Sequence, residues 1–292
     1  MRKNFGAAVG TFGAFLMIVS VAWEYARVIP SYRFLVEPWS MRGFEMVHGW
    51  VTLGIGVALL IATLLAAPEA ATERSRAVTI TIATAVMGSA LAFIFIREDY
   101  SLEFDGGTGL IIAAIFGLGT TAVTMALLKD RTPLAGSQLA SIGLFLVLFA
   151  VLAFAVFPAL GEVTLTGGLW VTILFGLITI VSLIVRPVAL APYRMLINAS
   201  IFAALAHLLS AGAIRSTLFD EQNAVSGVSA QYKDLQVTSG WMMGVVGTLF
   251  VFIGAVSLWA RRRDQIKTRE RAEKQREAAR QSAAEIDAAR SG

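Results

Sequence analysis

Eight stretches of about 20 apolar residues, none with a charge near its middle, set the limits on how this chain can fold. They run over about 5–27, 46–67, 77–96, 107–128, 138–158, 167–186, 195–214 and 240–260. The hydrocarbon core of a bilayer is about 30 Å thick, so a helix needs about 20 apolar residues to cross it. A backbone in hydrocarbon has to satisfy its own hydrogen bonds, which makes such stretches helices. The reading is therefore an all-α, polytopic membrane protein with eight transmembrane helices. The connections are too short for a separate soluble domain. Residues 1–260 are expected to form the transmembrane domain, and 261–292 a charged cytoplasmic tail. Charged residues make up only 15% of the chain, against about 25% in soluble domains.

The eight stretches group into four hairpins of similar build. In the second arms, Trp50-Val51-Thr52 precedes Gly56, Trp170-Val171-Thr172 precedes Gly176, Trp241 precedes Gly247, and Ile111 precedes Gly117. The first arms carry Val21-Ala22-Trp23, Leu91-Ala92-Phe93, Leu152-Ala153-Phe154 and Leu205-Ala206-His207. A repeat of about 60 residues in one orientation implies units related by an axis along the membrane normal, unlike inverted transporter repeats. The glycines suit close helix contact, because membrane helices associate by van der Waals packing that small residues permit. Gly6, Gly10, Gly56, Gly117, Gly176, Gly240, Gly244 and Gly247 are the expected contact positions. They serve either an internally packed bundle or a homodimer face. Trp50, Trp170 and Trp241 open helix ends and are expected as interfacial anchors, because indole favours the headgroup region.

Basic residues concentrate on cytoplasmic segments. With the N-terminus inside, 18 of the 24 lysines and arginines fall on the cytoplasmic side. Both termini are therefore expected in the cytoplasm. Met1-Arg2-Lys3 and the apolar run after it read as a retained first span, because Trp23-Glu24-Tyr25 stands where a cleavage site would be. Arginine outnumbers lysine 19 to 5, a bias consistent with a GC-rich bacterial genome, so the expected location is a bacterial plasma membrane. The outer segment 28–45 is expected to lie on the membrane surface, and 215–239 to be a long polar loop.

The departures from the apolar pattern are few. His207 stands where the other units carry Trp23, Phe93 and Phe154. An ionisable residue at that depth is a functional candidate by default. It is read either as a neutral histidine bonded inside the bundle, or as a proton, ligand or haem group. Glu24 falls near the same depth in the repeat alignment and has two prospective partners, His207 and Arg27. Asn198 is expected to make an interhelical hydrogen bond. The tail carries 10 basic and 6 acidic side chains over 261–290 without an apolar heptad, so it reads as a solvated helix. Arg261, Arg262 and Arg263 are placed against anionic lipid headgroups.

Several chemistries are missing. There is no cysteine and there are only two histidines, His48 and His207, so no thiolate site and no well-supported metal site can be built. No phosphate loop, dinucleotide fingerprint or zinc-protease helix occurs. No cofactor and no nucleic-acid partner are expected. The expected partners are the bilayer and either another membrane protein or a second copy. Three function classes fit: a non-catalytic accessory, assembly or envelope-organising subunit; a carrier or channel for a small or lipid-like solute using Glu24 and His207; and an outer-face enzyme built around Glu45 and His48.

Overall fold

The computed structural model describes residues 4–30, 39–67, 72–94, 188–225 and 232–291. Helix α1 spans Phe5–Ser20, α2 Val47–Ala66, α3 Glu73–Ile94, α4 Ala191–Val225 and α5 Ser239–Ser291. Three strands accompany them: β1 over Glu24–Pro30, β2 over Trp39–Arg42 and β3 over Tyr232–Val237. The fold is mostly helical. Stretches in α2, α4 and α5 are long and apolar enough to cross a membrane, and α1 is a shorter apolar helix. The spans expected at 107–128, 138–158 and 167–186 lie outside the described residues, as do Gly117, Gly176 and Trp170.

Polarity runs inside out. Phe12 and Phe15 on α1, Val57, Ile61 and Leu64 on α2, Leu208 and Leu209 on α4, and Leu249 and Ile253 on α5 face outward. Thr52, Thr63, Thr79, Thr84, Ser200, Ser210 and Thr248 are buried. Water-soluble proteins rarely expose so continuous an apolar surface, whereas hydrocarbon favours it. Many buried hydroxyls bond back to their own helix: Thr79 donates to the Ser75 carbonyl at 2.8 Å and Thr84 to the Ile80 carbonyl at 2.9 Å. This satisfies the hydroxyl without a partner helix.

The helices close a ring, α1 beside α2, α2 beside α3, α3 beside α4, α4 beside α5 and α5 against α1, with α2 also touching α4. The tightest seam joins the two sequence-distant helices, α1 and α5. A methyl group built on Gly254 would lie 2.5 Å from the Gly10 nitrogen, and one on Gly13 would lie 2.5 Å from the Gly247 oxygen. Gly6 approaches the Gly254 oxygen at 3.0 Å by the same construction. The helices approach backbone to backbone, as small residues allow. Gly10 also meets Thr63 of α2, and Gly56 meets Met17 and Ile18 of α1. These glycines are used inside the bundle. A methyl group on Gly54, by contrast, meets nothing within 4 Å.

The sheet is the main correction to the all-α expectation. Its order is β2-β1-β3, with both pairings antiparallel. Segment 28–45, expected on the membrane surface, instead supplies the last three residues of β1, all of β2 and the 3-10 turn Gly43–Glu45. Segment 215–239, expected as a loop, continues α4 to Val225 and then forms β3. The run 5–27 is likewise not one helix. Helix α1 stops at Ser20, and Glu24 is already pairing across the sheet with Arg42. Strand pairing supplies the backbone partners that a longer helix would have supplied, so the chain can leave the apolar zone early. At the other end of the molecule, α5 continues unbroken through the boundary at 260/261 to Ser291. Every side chain from Lys267 to Ala284 is exposed.

Candidate functional site

The sheet and the bundle meet at a buried polar cluster centred on His207. Tyr25 and His207 are each 1% exposed. In β1, Glu24 pairs with Arg42 and Ala26 with Met41, so two steps on one strand oppose a single step on the other. Tyr25 is the extra residue of this bulge. A bulge re-aims a side chain, and here it turns the Tyr25 phenol away from the sheet and down into the helices. The phenol oxygen reaches Thr52 Oγ1 of α2 at 2.9 Å and His207 Nε2 of α4 at 3.2 Å. Thr52 Oγ1 also lies 3.0 Å from His207 Nε2 and 2.8 Å from the His48 carbonyl one turn back.

The other imidazole nitrogen fixes the tautomer. His207 Nδ1 lies 3.2 Å from the Ala203 carbonyl. A carbonyl only accepts, so Nδ1 carries the proton and donates it, leaving Nε2 to accept from Tyr25 or Thr52. Two hydroxyl protons thus serve the imidazole, the His48 carbonyl and each other's oxygens. Such a set can shift its protons between equivalent arrangements without moving heavy atoms. It ties β1, α2 and α4 together at one point.

Trp241 closes the cluster from α5. It is 6% exposed, and its indole nitrogen donates to the His207 carbonyl at 3.1 Å and to Ser210 Oγ at 3.3 Å. The expected interfacial anchor is therefore buried. The first turn of α5 is pulled under the sheet, where Thr238 donates its backbone N–H to the Tyr25 carbonyl at 3.0 Å and its hydroxyl to the Glu24 carbonyl. Gly240 and Gly244 permit this approach. Methyl groups there would lie 2.6 Å from the Glu24 oxygen and 2.8 Å from His207 Nε2. Trp50 behaves differently: it is 59% exposed, and its indole donates to the Phe44 carbonyl at 2.9 Å.

Glu24 does not join His207. Its carboxylate takes two hydrogen bonds from Arg27, each 2.7 Å, on the solvent face of β1. The hydrogen bond and the charge of Glu24 both raise the Arg27 guanidinium above the ordinary arginine range. The strand turns Glu24 and Tyr25 to opposite sides, so the pairing inferred from depth alone gives way to the tyrosine beside it. Asn198 stands nine residues before His207 on α4, about 14 Å along the axis, too far to share the cluster. It is itself half-buried. Arg263 lies over the Trp259 ring at 5.3 Å, while Arg262 donates to Gln265 at 3.2 Å.

Tyr25 and Thr52 are the members that reading for spans passes over. Thr52 lies in the Trp50-Val51-Thr52 motif, and its spacing of four from His48 places both on one helix face. The signal for Tyr25 is the β-prone run Tyr25-Ala26-Arg27-Val28-Ile29. Among the described residues, no group of three or more histidine, aspartate or glutamate side chains is placed to hold a metal ion. No protein-family model matches the chain, and neither a curated protein nor a solved structure matches it.

Proposed function

We propose that this chain is a non-catalytic, multi-pass subunit of a bacterial plasma membrane. It would act in accessory, assembly or envelope-organising work by presenting its C-terminal helix to a partner. In this reading eight helices in four related hairpins hold the protein in the bilayer, with both termini in the cytoplasm. The observation that carries it is the uninterrupted course of α5. The helix leaves the bundle and continues as a charged, fully exposed rod over Lys267–Ala284. From residue 264 to its end it extends about 40 Å at 1.5 Å per residue. A helix so poor in apolar contacts is marginal alone, and a partner would supply the missing stabilisation. The glycine seams favour the same reading, since α1 and α5 use them on each other and leave partner contact to the rod.

The test is affinity capture of the natively expressed, tagged full chain in mild detergent, beside a version ending at 263. A stoichiometric protein retained by the full chain and lost on truncation is expected. A lone monomer in both samples would remove the reading.

Solute movement is the second reading, and the His207–Tyr25–Thr52 cluster favours it, because the set can pass a proton between sheet and bundle. Glu24 has no part in this version. Replacement of His207 by phenylalanine should then abolish solute uptake in vesicles while leaving the protein folded. Unaltered uptake would take the histidine out of any transport step.

A further inference from the structure

At the end of the bundle opposite the sheet, α3 and α4 begin and α5 leaves the apolar zone. Tyr193, in the first turn of α4, is 1% exposed, and its hydroxyl has no hydrogen-bond partner among the described residues. Three arginines on two other helices also bury nitrogens without a partner among the described residues. Arg76 of α3 buries Nε without a partner, Arg261 of α5 buries Nη1, and Arg262 buries Nε. All three guanidinium groups lie within electrostatic range of the Tyr193 hydroxyl, and Arg76 and Arg262 repel each other. Among the described residues, no carboxylate forms an ion pair with any of them.

Left like this, the arrangement is costly on three counts. Buried donors without acceptors lose their hydration and recover nothing. Partly buried cations need a counter-charge. The first turns of α3 and α4 also add the positive ends of their helix dipoles, so cations there are disfavoured further. One kind of group removes all three costs: an anion with several acceptor oxygens. Guanidinium forks match the oxygens of a phosphate in paired hydrogen bonds, and the tyrosine hydroxyl adds a further donor. Carboxylates of the same charge offer fewer acceptors to donors arriving from three helices.

We propose that Arg76, Arg261, Arg262 and Tyr193 form a binding site for a phosphate group, carried either by an anionic lipid headgroup or by free phosphate. The site stands where apolar helix gives way to charged helix, the level at which headgroup phosphates lie. It rests on the membrane-spanning reading of the helices and is independent of the docking role of α5. Arg263 is outside it, turned over Trp259.

The experiment uses the full chain, purified in a nonionic detergent free of phosphate, with Tm read at constant ionic strength. The additions are sodium chloride, inorganic phosphate, phosphatidylglycerol and phosphatidylcholine. Binding is expected to raise Tm by about 5 °C at saturating probe. A rise with phosphatidylglycerol alone assigns a lipid headgroup, and a rise with inorganic phosphate as well assigns a site open to free phosphate. The double variant R76Q/R262Q should lose the rise, and R263Q should keep it. No rise in the wild type with either phosphate probe overturns the site, as does an undiminished rise in the double variant. If the double variant does not fold, Tyr193→Phe carries the test: it removes one hydroxyl, and a rise equal to that of the wild type overturns the site.

Discussion

Two buried tyrosines, one at each end of the bundle, stand in opposite states. Under the sheet, a tyrosine, a threonine and a histidine from three elements satisfy one another at 2.9–3.2 Å. At the far end, a tyrosine equally buried has no partner among the described residues and lies within electrostatic range of three arginines. A buried polar group that is fully bonded belongs to the structure, and removing its partner costs stability. A buried donor without a partner marks a place where the folded chain is incomplete, and removing it costs nothing until a ligand arrives. Tyr25 and Tyr193 are the same side chain under these two regimes.

The largest effect is expected where the sheet end depends on backbone contact. Gly240→Val places a side chain against the Glu24 and Ser20 carbonyl oxygens, 2.6 and 2.9 Å from the first added carbon. The Glu24 oxygen cannot move without breaking its bond to the Thr238 hydroxyl, nor the Ser20 oxygen without disturbing its bond to the Trp23 N–H. Destabilisation above about 3 kcal/mol is expected, read as loss of monodisperse protein in detergent. Gly54→Val, facing open space, is the matched control and should leave the protein intact. Equal tolerance at both positions would break the account of the seam.

Next comes the histidine cluster. Tyr25→Phe keeps the ring and removes the hydroxyl that serves His207 and Thr52. A cost of about 1–2 kcal/mol is expected, read as a fall in Tm. Combined with Thr52→Val, the two losses should not add, because both variants remove the same contact. A coupling of about 0.5–1 kcal/mol in the double-mutant cycle would register the shared bond, and strict additivity would mean the hydroxyls act separately.

Tyr193→Phe sharpens the contrast most directly. Without phosphate or anionic lipid, the loss of an unpartnered hydroxyl should leave Tm unchanged or slightly raised. A fall as large as that of Tyr25→Phe would show that the far end has an internal partner and would erase the distinction between the two ends. The smallest effect belongs to the exposed Glu24–Arg27 pair. Glu24→Gln should not measurably alter Tm, since a solvent-facing ion pair is screened and its side chains lose freedom in forming it.

Part of the described fold is legible in the sequence. Apolar length makes stretches of α2, α4 and α5 long enough to cross a membrane, because an unbonded backbone in hydrocarbon leaves a single local solution. Glycine spacing marks Gly6, Gly10, Gly240, Gly244 and Gly247 as contact points, because only a missing side chain lets backbones touch. His207 stands out in an apolar run for the same energetic reason. What these signals lack is a partner. Spacing along one helix cannot say that Gly254 meets Gly10, or that Trp241 turns inward while Trp50 stays at the surface. Depth along the chain suggested Glu24 for His207, but a one-residue bulge delivered Tyr25 instead.

The sequence by itself determined the apolar character of α1, α2, α4 and α5 and the short roster of polar residues in them, since those follow from transfer energies summed over local stretches. Tertiary structure alone decided the pairing of β1 with β3, some 200 residues apart in the chain, and the pairing of each buried polar group. A hydrogen bond depends on where the second group is brought by the rest of the fold. A tyrosine is therefore bonded into the fold at position 25 and, among the described residues, without a partner at position 193.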